Sequence, residues 1–343
     1  MSRPGKLAFR LVNLAVTKET LRRYRSSLLD FLTWANRHQV QAWNIDQLDH
    51  ALRDFVTHLF VSDPLHRGRQ KALNLRAAIL HYIPNARHHL GSVSRAITAW
   101  GKVKPSVQRP PMPFPLLLLT MDYFLRHSSY HLAALSLLAF RCYLRVSEAL
   151  AVTPSDITFP TPVTPGSIFL KNTKTGRNQS VLFNDPVLVL FLRDLVADCQ
   201  DDEPIFPCSA SRFRKGIERA HTSLGVSFGI TTHSMRHGGA THDYINGVPF
   251  EDVRVKGRWK SPASCERYLQ ASRALMLAVR IPDRAPKLAV KLVSEPSHFM
   301  RKWSARYGME AAEGTSGPLE DLSANPKPPS LSSSHPSQPR RGK

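Results

Sequence analysis

The chain has 343 residues, and its 47 Lys and Arg outnumber 26 Asp and Glu, giving a formal charge of +21. That length accommodates about two domains at roughly 100–200 residues each, and a hydrophobic content of 42% excludes disorder throughout. Self-repulsion of this size is offset by a polyanion, nucleic acid or an anionic membrane, which argues against an enzyme acting on a small neutral molecule.

Four cysteines, Cys142, Cys199, Cys208 and Cys265, show no paired short spacing and are too sparse for a disulfide scaffold. A reducing intracellular compartment is the simplest expectation. No run approaches 18 apolar residues; the longest is Leu116–Leu119 with its flanks, which argues against a spanning helix. Arg3 and Lys6 precede no sustained apolar core, so no secretory signal is expected. Basic residues are spread along the whole chain, which weakens the membrane-surface reading.

Residues 1–108 read as an all-helical, basic, DNA-binding domain. Residues 1–112 hold 18 Lys and Arg against 6 Asp and Glu, a net +12. Thr17 is placed to cap a helix with Leu21, Tyr24, Leu28, Phe31, Leu32 and Ala35 as its apolar positions. A second helix puts Ile45, Leu48, Leu52, Phe55, Val56 and Leu59 on one face, and two more fit 70–81 and 92–100. Arg22, Arg23, Arg25, Arg67, Arg69 and Lys71 fall mainly off these stripes. Such charges are ordinarily solvated helix faces, but their one-sided excess points to a surface for the DNA backbone.

The Pro-rich segment 109–115 interrupts any helix and reads as an interdomain linker. The pattern over 116–285 is mainly α with a small β-sheet. Helices are expected at 116–126, 131–140, from about 145, and at 186–198, 211–224, 233–246, 250–256 and 263–274. A hairpin pairs 167–170 with 179–183 across the loop 171–178. Residues 286–343 form an extended tail whose later part is rich in Ser and Pro, and they read as largely disordered.

The segment 232–242 is the richest in chemistry. His233 and His237, four apart, share a helix face and could chelate zinc. A zinc peptidase of that spacing needs Glu directly after the first His; Ser234 stands there and no third ligand is evident. Ser180 and Ser209 lack the Gly-x-Ser-x-Gly elbow, and no phosphate loop of the Walker type is present. Neither metal nor nucleotide cofactor is therefore expected. What remains is a set of Arg, Lys, His and Tyr suited to phosphoryl transfer. Paired guanidiniums clamp a phosphodiester, Lys or His moves protons, and Tyr can attack phosphorus and hold the strand covalently.

In order, these residues resemble the tyrosine recombinases, the phage-integrase family. Phe140-Arg141-Cys142-Tyr143-Leu144-Arg145-Val146-Ser147-Glu148-Ala149-Leu150, followed by Asp156-Ile157, looks like the first box. His233-Ser234-Met235-Arg236-His237 looks like the second, His-x-x-Arg-His. Gly257-Arg258-Trp259-Lys260-Ser261 then Tyr268 looks like the end, where His or Trp precedes the nucleophilic Tyr by nine residues. Lys174, followed by Thr175-Gly176, matches the hairpin lysine, and the basic N-terminal unit is similar in place and size to a core-binding domain. The resemblance covers about residues 15–280.

The resemblance implies a metal-independent enzyme that breaks and rejoins duplex DNA for site-specific recombination or integration, and the tail and the first box point to a eukaryotic mobile element. It implies a tetramer on paired sites inside the cell, with DNA, in the nucleus of a eukaryote. Tyr268 would attack the scissile phosphate to give a 3′-phosphotyrosyl bond. Arg145 and Arg236 would stabilise the pentavalent phosphate, Lys174 would protonate the departing oxygen, and His233 would accept the tyrosine proton. Trp259 would donate its indole N–H and pack against the site; Glu148 would support the cluster, with His237 as a secondary contact. Singly, Tyr268 reads as a helix aromatic, Trp259 as core, the two arginines as surface ion pairs and Lys174 as a hairpin-tip charge. Only their joint order lifts them above that.

Two rival readings share the chemistry or the substrate: a type IB topoisomerase-like strand relaxation, and a catalytically idle, domesticated DNA-binding protein. The family commonly carries Thr-Gly before the first-box Leu-Arg, where Cys142-Tyr143 stand here. A left-handed Tyr143 would cost about 1–2 kcal/mol, so a modest backbone difference is expected instead. Pro262 is expected in the first turn of the helix that carries Tyr268.

Overall fold

The computed structural model describes residues 13–63, 68–105, 109–173, 176–281 and Lys287. Arg67, Lys174 and nearly all of 286–343 lie outside the described residues. The chain divides into two compact units, 1–108 and 109–343. No described helix is long and apolar enough to cross a membrane.

The first unit is built from helices α1 (Lys18–Arg37), α2 (Ile45–Ser62), α3 (Gly68–Tyr82) and α4 (Gly91–Val103). Thr17 Oγ1 accepts the N–H of Thr20 and Asn44 Oδ1 that of Gln47, each satisfying a donor that the first turn leaves unpaired. The apolar stripes meet in a core that includes Phe31, Leu52, Phe55, Leu75 and Trp100. One contact had no signal in the sequence. Asp49, buried on α2, accepts the N–H groups of Ser92 (2.7 Å) and Val93 (2.9 Å), capping α4 from another helix. A carboxylate there also suits the positive end of the α4 dipole.

In the second unit, α5 (Phe114–Arg126) and α6 (Tyr130–Arg141) form the centre. From Leu132 to Phe140 every residue of α6 is buried, the mark of a helix covered on all sides. Around this pair lie α7 (Val146–Ala149), α8 (Pro186–Ala197), α9 (Ala210–Ser223), α10 (Thr232–Ile245), α11 (Phe250–Lys256), α12 (Pro262–Glu266) and α13 (Ala271–Val279). A three-stranded antiparallel sheet, β1 (Ile157–Thr158), β2 (Gly166–Thr173) and β3 (Gly176–Phe183), runs in the order β1-β2-β3. Ile168 pairs with Val181, and both are buried with Leu170 and Phe183, while Phe169 and Leu182 face outward. The period of two therefore seats one face of the sheet on the core.

Four expectations change. Strands β2 and β3 are longer than 167–170 and 179–183, because ladder pairing continues through Asn172–Arg177 to Thr173–Gly176. The strand β1 was too short for periodicity to reveal. The Pro-rich segment 109–115 does not run free as a connector. Pro110 to Pro113 are buried, and the Met112 N–H donates to the Ser234 carbonyl at 2.9 Å. The helix expected over 263–274 is two helices. Pro262 does start α12, but Tyr268 lies beyond its end, in the turn before α13.

The Gly238-Gly239 pair on α10 permits a close backbone approach. A Cβ on Gly239 would lie 1.9 Å from the Phe140 carbonyl oxygen, and one on Gly238 would lie 2.2 Å from that of Met112. The helix carrying His233, Arg236 and His237 is thereby seated directly against the C-terminal end of α6, from which Arg145 follows.

Candidate active site

Arg145 stands at the N-terminus of α7 in extended backbone, and Glu148 folds back onto it. The Glu148 Oε2 accepts the Arg145 N–H at 3.0 Å, and Oε1 accepts its Nη1 at 2.5 Å. Glu148 is buried, and a buried carboxylate is retained charged only where cations and donors surround it. Two more guanidiniums do so: Arg258 Nη2 donates to Oε2 at 2.7 Å, and Arg236 Nη1 lies 3.8 Å from the same oxygen.

Among the described residues, Arg236 is the largest fully buried side chain. Its Nη1 donates to the Tyr143 carbonyl and its Nη2 to the Gly257 carbonyl, each at 2.5 Å. Its guanidinium carbon sits 4.9 Å from the Trp259 ring centroid and 5.7 Å from that of Tyr268. The Nε–H is buried with no partner, so it and the second hydrogens on the two Nη atoms remain for an anionic ligand. Burial, then the charges of Arg145 and Arg258, push Arg236 down to about 10, still cationic at neutral pH.

The expectation of a modest backbone difference at Tyr143 is overturned. Tyr143 adopts φ +47°, in the left-handed region. Its hydroxyl donates to Asp243, Asp243 accepts Lys256 Nζ at 2.8 Å, and that ammonium lies 4.6 Å from the Tyr143 ring centroid. A fully buried ring fixed at its far end outweighs the local cost of about 1–2 kcal/mol. The conformation presents the Tyr143 carbonyl to Arg236.

Tyr268 is held at backbone and ring. Its carbonyl accepts from Thr241 Oγ1 at 3.0 Å, and its N–H donates to the Cys265 carbonyl at 2.7 Å. Its ring stacks on His237, with centroids 4.2 Å and planes 20° apart, and meets Trp259 at 4.8 Å. The hydroxyl lies 3.4 Å from His233 Nε2. Burial, and then the charges of Arg236, Arg109 and Arg145, hold His233 down to about 4. Burial and the neighbouring His233 do the same to His237. Both imidazoles are therefore neutral at pH 7. The Trp259 indole N–H is buried without a partner.

Arg145, His233, Arg236, Trp259 and Tyr268 thus share one site with Glu148 and His237. Lys174 lies outside the described residues. His242 belongs elsewhere, stacked on Phe114 at 4.6 Å. Of the basic residues in the first unit, Arg22, Arg23, Arg25 and Lys71 are exposed, and Arg69 is half-buried with its Nε unpartnered. Sequence reasoning missed Arg258, the carbonyl role of Tyr143 and the Thr241 hydroxyl. Only Arg258, one residue before Trp259, had a local signal.

Residues 115–274 match the model of the phage integrase family. That stretch is similar to phage-integrase-family domains. It contains all seven residues of the site. Tyrosine recombinase XerC of Rhizobium meliloti (strain 1021) is 26% identical over 159 residues, 45% of this chain and 49% of that protein. The chain therefore spans about half the length of that curated relative. A lambda integrase dimer bound to a COC′ core site superposes with a TM-score of 0.53 at 17% identity, over 77% of this chain and 76% of that one. XerH site-specific recombinase bound to palindromic difH in a post-cleavage complex gives 0.54 at 16% identity, over 72% and 75%. The chain shares the fold of these proteins over the matched residues.

Proposed function

We propose that the chain is a tyrosine recombinase that cuts and rejoins duplex DNA without a metal, through a 3′-phosphotyrosyl intermediate. The observation that carries this reading is the Tyr268 hydroxyl, 3.4 Å from a neutral imidazole and beside a guanidinium clamp. Nucleophile, proton acceptor and anion stabiliser converge on one point.

Tyr268 Oη attacks the scissile phosphorus while its proton passes to His233 Nε2. A base held down to about 4 is a weak acceptor in the free protein. The negative charge building on the phosphate raises it as the reaction proceeds. Arg145 and Arg236 stabilise the pentavalent phosphate, and Trp259 donates its unpartnered indole N–H. The P–O5′ bond breaks, and Lys174 protonates the departing oxygen. Attack by the 5′-hydroxyl of an exchanged strand then expels Tyr268 and re-forms a phosphodiester. Exchange requires several copies on paired sites, and we read the assembly as a tetramer acting where DNA is held in the cell. Arg22, Arg23, Arg25, Arg67, Arg69 and Lys71 supply phosphate contacts that are independent of sequence.

The test uses a pool of nicked duplexes of randomised sequence, from which DNA joined covalently to the protein is recovered after denaturation. Wild type is expected to yield adducts that converge on a site, in EDTA as in its absence, and Tyr268→Phe none. Binding without any adduct would sink the enzyme and leave a DNA-holding protein. Adducts accompanied by supercoil relaxation, with no exchange between two sites, would favour the topoisomerase reading.

A further inference from the structure

Arg258 carries several local costs that its fold position does not explain. It has φ +58°, which a glycine would adopt freely and an arginine at a cost. Its side chain is 6% exposed, and its Nε and Nη1 are buried without partners. One strong bond stands against these costs, that from Nη2 to Glu148 Oε2 at 2.7 Å. A buried ion pair of this kind contributes little net stability, and strain of this kind gathers where geometry matters for function.

Glu148 Oε2 is also the oxygen nearest to Arg236, at 3.8 Å from Nη1. We propose that Arg258 is a positioning residue that occupies Glu148 Oε2, and so keeps Arg236 on the Tyr143 and Gly257 carbonyls, facing the phosphate. Without it, Oε2 is left with a single backbone N–H, and since Arg145 is already bonded through Oε1, Arg236 at 3.8 Å is the cation placed to take it. Arg258 has a second, electrostatic effect. Three guanidiniums around one carboxylate leave a net +2 in the cluster, against +1 without Arg258. That excess matches the second negative charge that the phosphate acquires in the pentavalent state.

This inference rests on the proposed chemistry, but one of its tests does not. In a crystal structure of Arg258→Met, the Arg236 Nη1 to Glu148 Oε2 distance is expected to close from 3.8 Å to about 2.8 Å. The bond from Nη1 to the Tyr143 carbonyl is expected to open. An unchanged Arg236 overturns the proposal, whether or not the wild type cuts DNA. The kinetic test measures single-turnover adduct formation on the nicked-duplex pool. Arg258→Met is expected to lower the rate about 100-fold, with DNA affinity within about twofold. Arg258→Lys, which keeps the charge, should recover to within about tenfold of wild type.

Adding Glu148→Gln to Arg258→Met removes the competing anion and should raise the rate about tenfold. A merely structural Arg258 predicts the reverse, a further loss on adding Glu148→Gln and no recovery with lysine. Should Arg258→Met fail to fold, Arg258→Gln carries both readouts. A wild type that forms no Tyr268 adduct would refute the functional reading, while the Arg236–Glu148 distance would still decide the positioning role.

Discussion

The imidazole of His237 lies flat on the ring of Tyr268, 4.2 Å between centroids and 20° between planes. The hydroxyl of Tyr268 instead lies 3.4 Å from Nε2 of His233, one helical turn earlier. The two histidines of the His-x-x-Arg-His box thus act on one tyrosine in different ways: one at its hydroxyl, the other against its face. Such stacking contributes about 0.5–1.5 kcal/mol beyond area burial. His237→Ala should therefore slow adduct formation about 3- to 10-fold, and His237→Phe should restore it. Equal losses in both variants would show that His237 acts through its nitrogens.

Burial is the leading cause that holds His221, His233, His237 and His242 down to about 4 in the folded chain. Unfolded histidines titrate near 6.5. Between these values the unfolded state binds more protons, so stability rises with pH and falls as the medium is acidified from about 6.5 toward 4. The stretch from pH 6.5 to 5 isolates the imidazoles, because ordinary carboxylates titrate lower. Thermal unfolding should show a steady drop in Tm across that stretch, and a flat Tm would contradict neutral buried histidines.

Tyr143→Phe keeps the buried ring but removes the bond to Asp243. The variant should lose about 1–2 kcal/mol in urea unfolding, because the left-handed backbone then has one fewer restraint. Tyr143→Gly relieves the strain, yet it should lose more, about 3–5 kcal/mol, through the emptied ring volume. A Tyr143→Gly variant more stable than wild type would show that backbone strain dominates there.

Gly239→Ala places a methyl group against the Phe140 carbonyl, where the ideal Cβ position is 1.9 Å from oxygen. Backbone cannot yield as a side chain can, so a loss of about 1–3 kcal/mol or more is expected in chemical denaturation. The shift moves α10 away from α6, and adduct formation should fall with it.

Glu19 holds Arg22 at 2.8 Å and Arg23 at 3.0 Å on the exposed side of α1. Hydrogen bonds from Arg22 and then Arg23 keep its carboxyl down to about 2. Glu19→Gln should free both guanidiniums for phosphate and tighten DNA binding about 2- to 5-fold at low salt. Arg22→Ala with Arg23→Ala should weaken binding and flatten its salt dependence. No change in either variant would remove this face of α1 from the DNA contact.

The helices of both units were legible because each repeats its apolar residues at helical spacing, from Leu21 to Ala35 and from Ile45 to Leu59. The site boxes were legible for a different reason. Arg145, His233, Arg236, Trp259 and Tyr268 stand in the order and spacing of the family boxes they resemble, so that resemblance could be read in the chain itself. Local rules also located Pro262 at the first turn of α12. They failed at its far end, since nothing in residues 263–274 marks a break. Thr241, 27 residues away, fixes that turn through the Tyr268 carbonyl.

The +21 charge and the helical content are properties of the sequence alone, since composition and short-range periodicity suffice to set them, and the resemblance of its boxes to a known family named the candidate site residues. Tertiary structure decided what those groups touch. Arg145 and Glu148 are three residues apart, but Arg258 reaches Glu148 across 110 residues, and Arg236 finds the Tyr143 carbonyl across 93. Such distances close only when helices pack, and no spacing rule encodes them. The left-handed turns at Tyr143 and Arg258 belong to the same class. Local sterics disfavour both, and only the surrounding contacts, a buried tyrosine ring and a shared carboxylate, hold them in place.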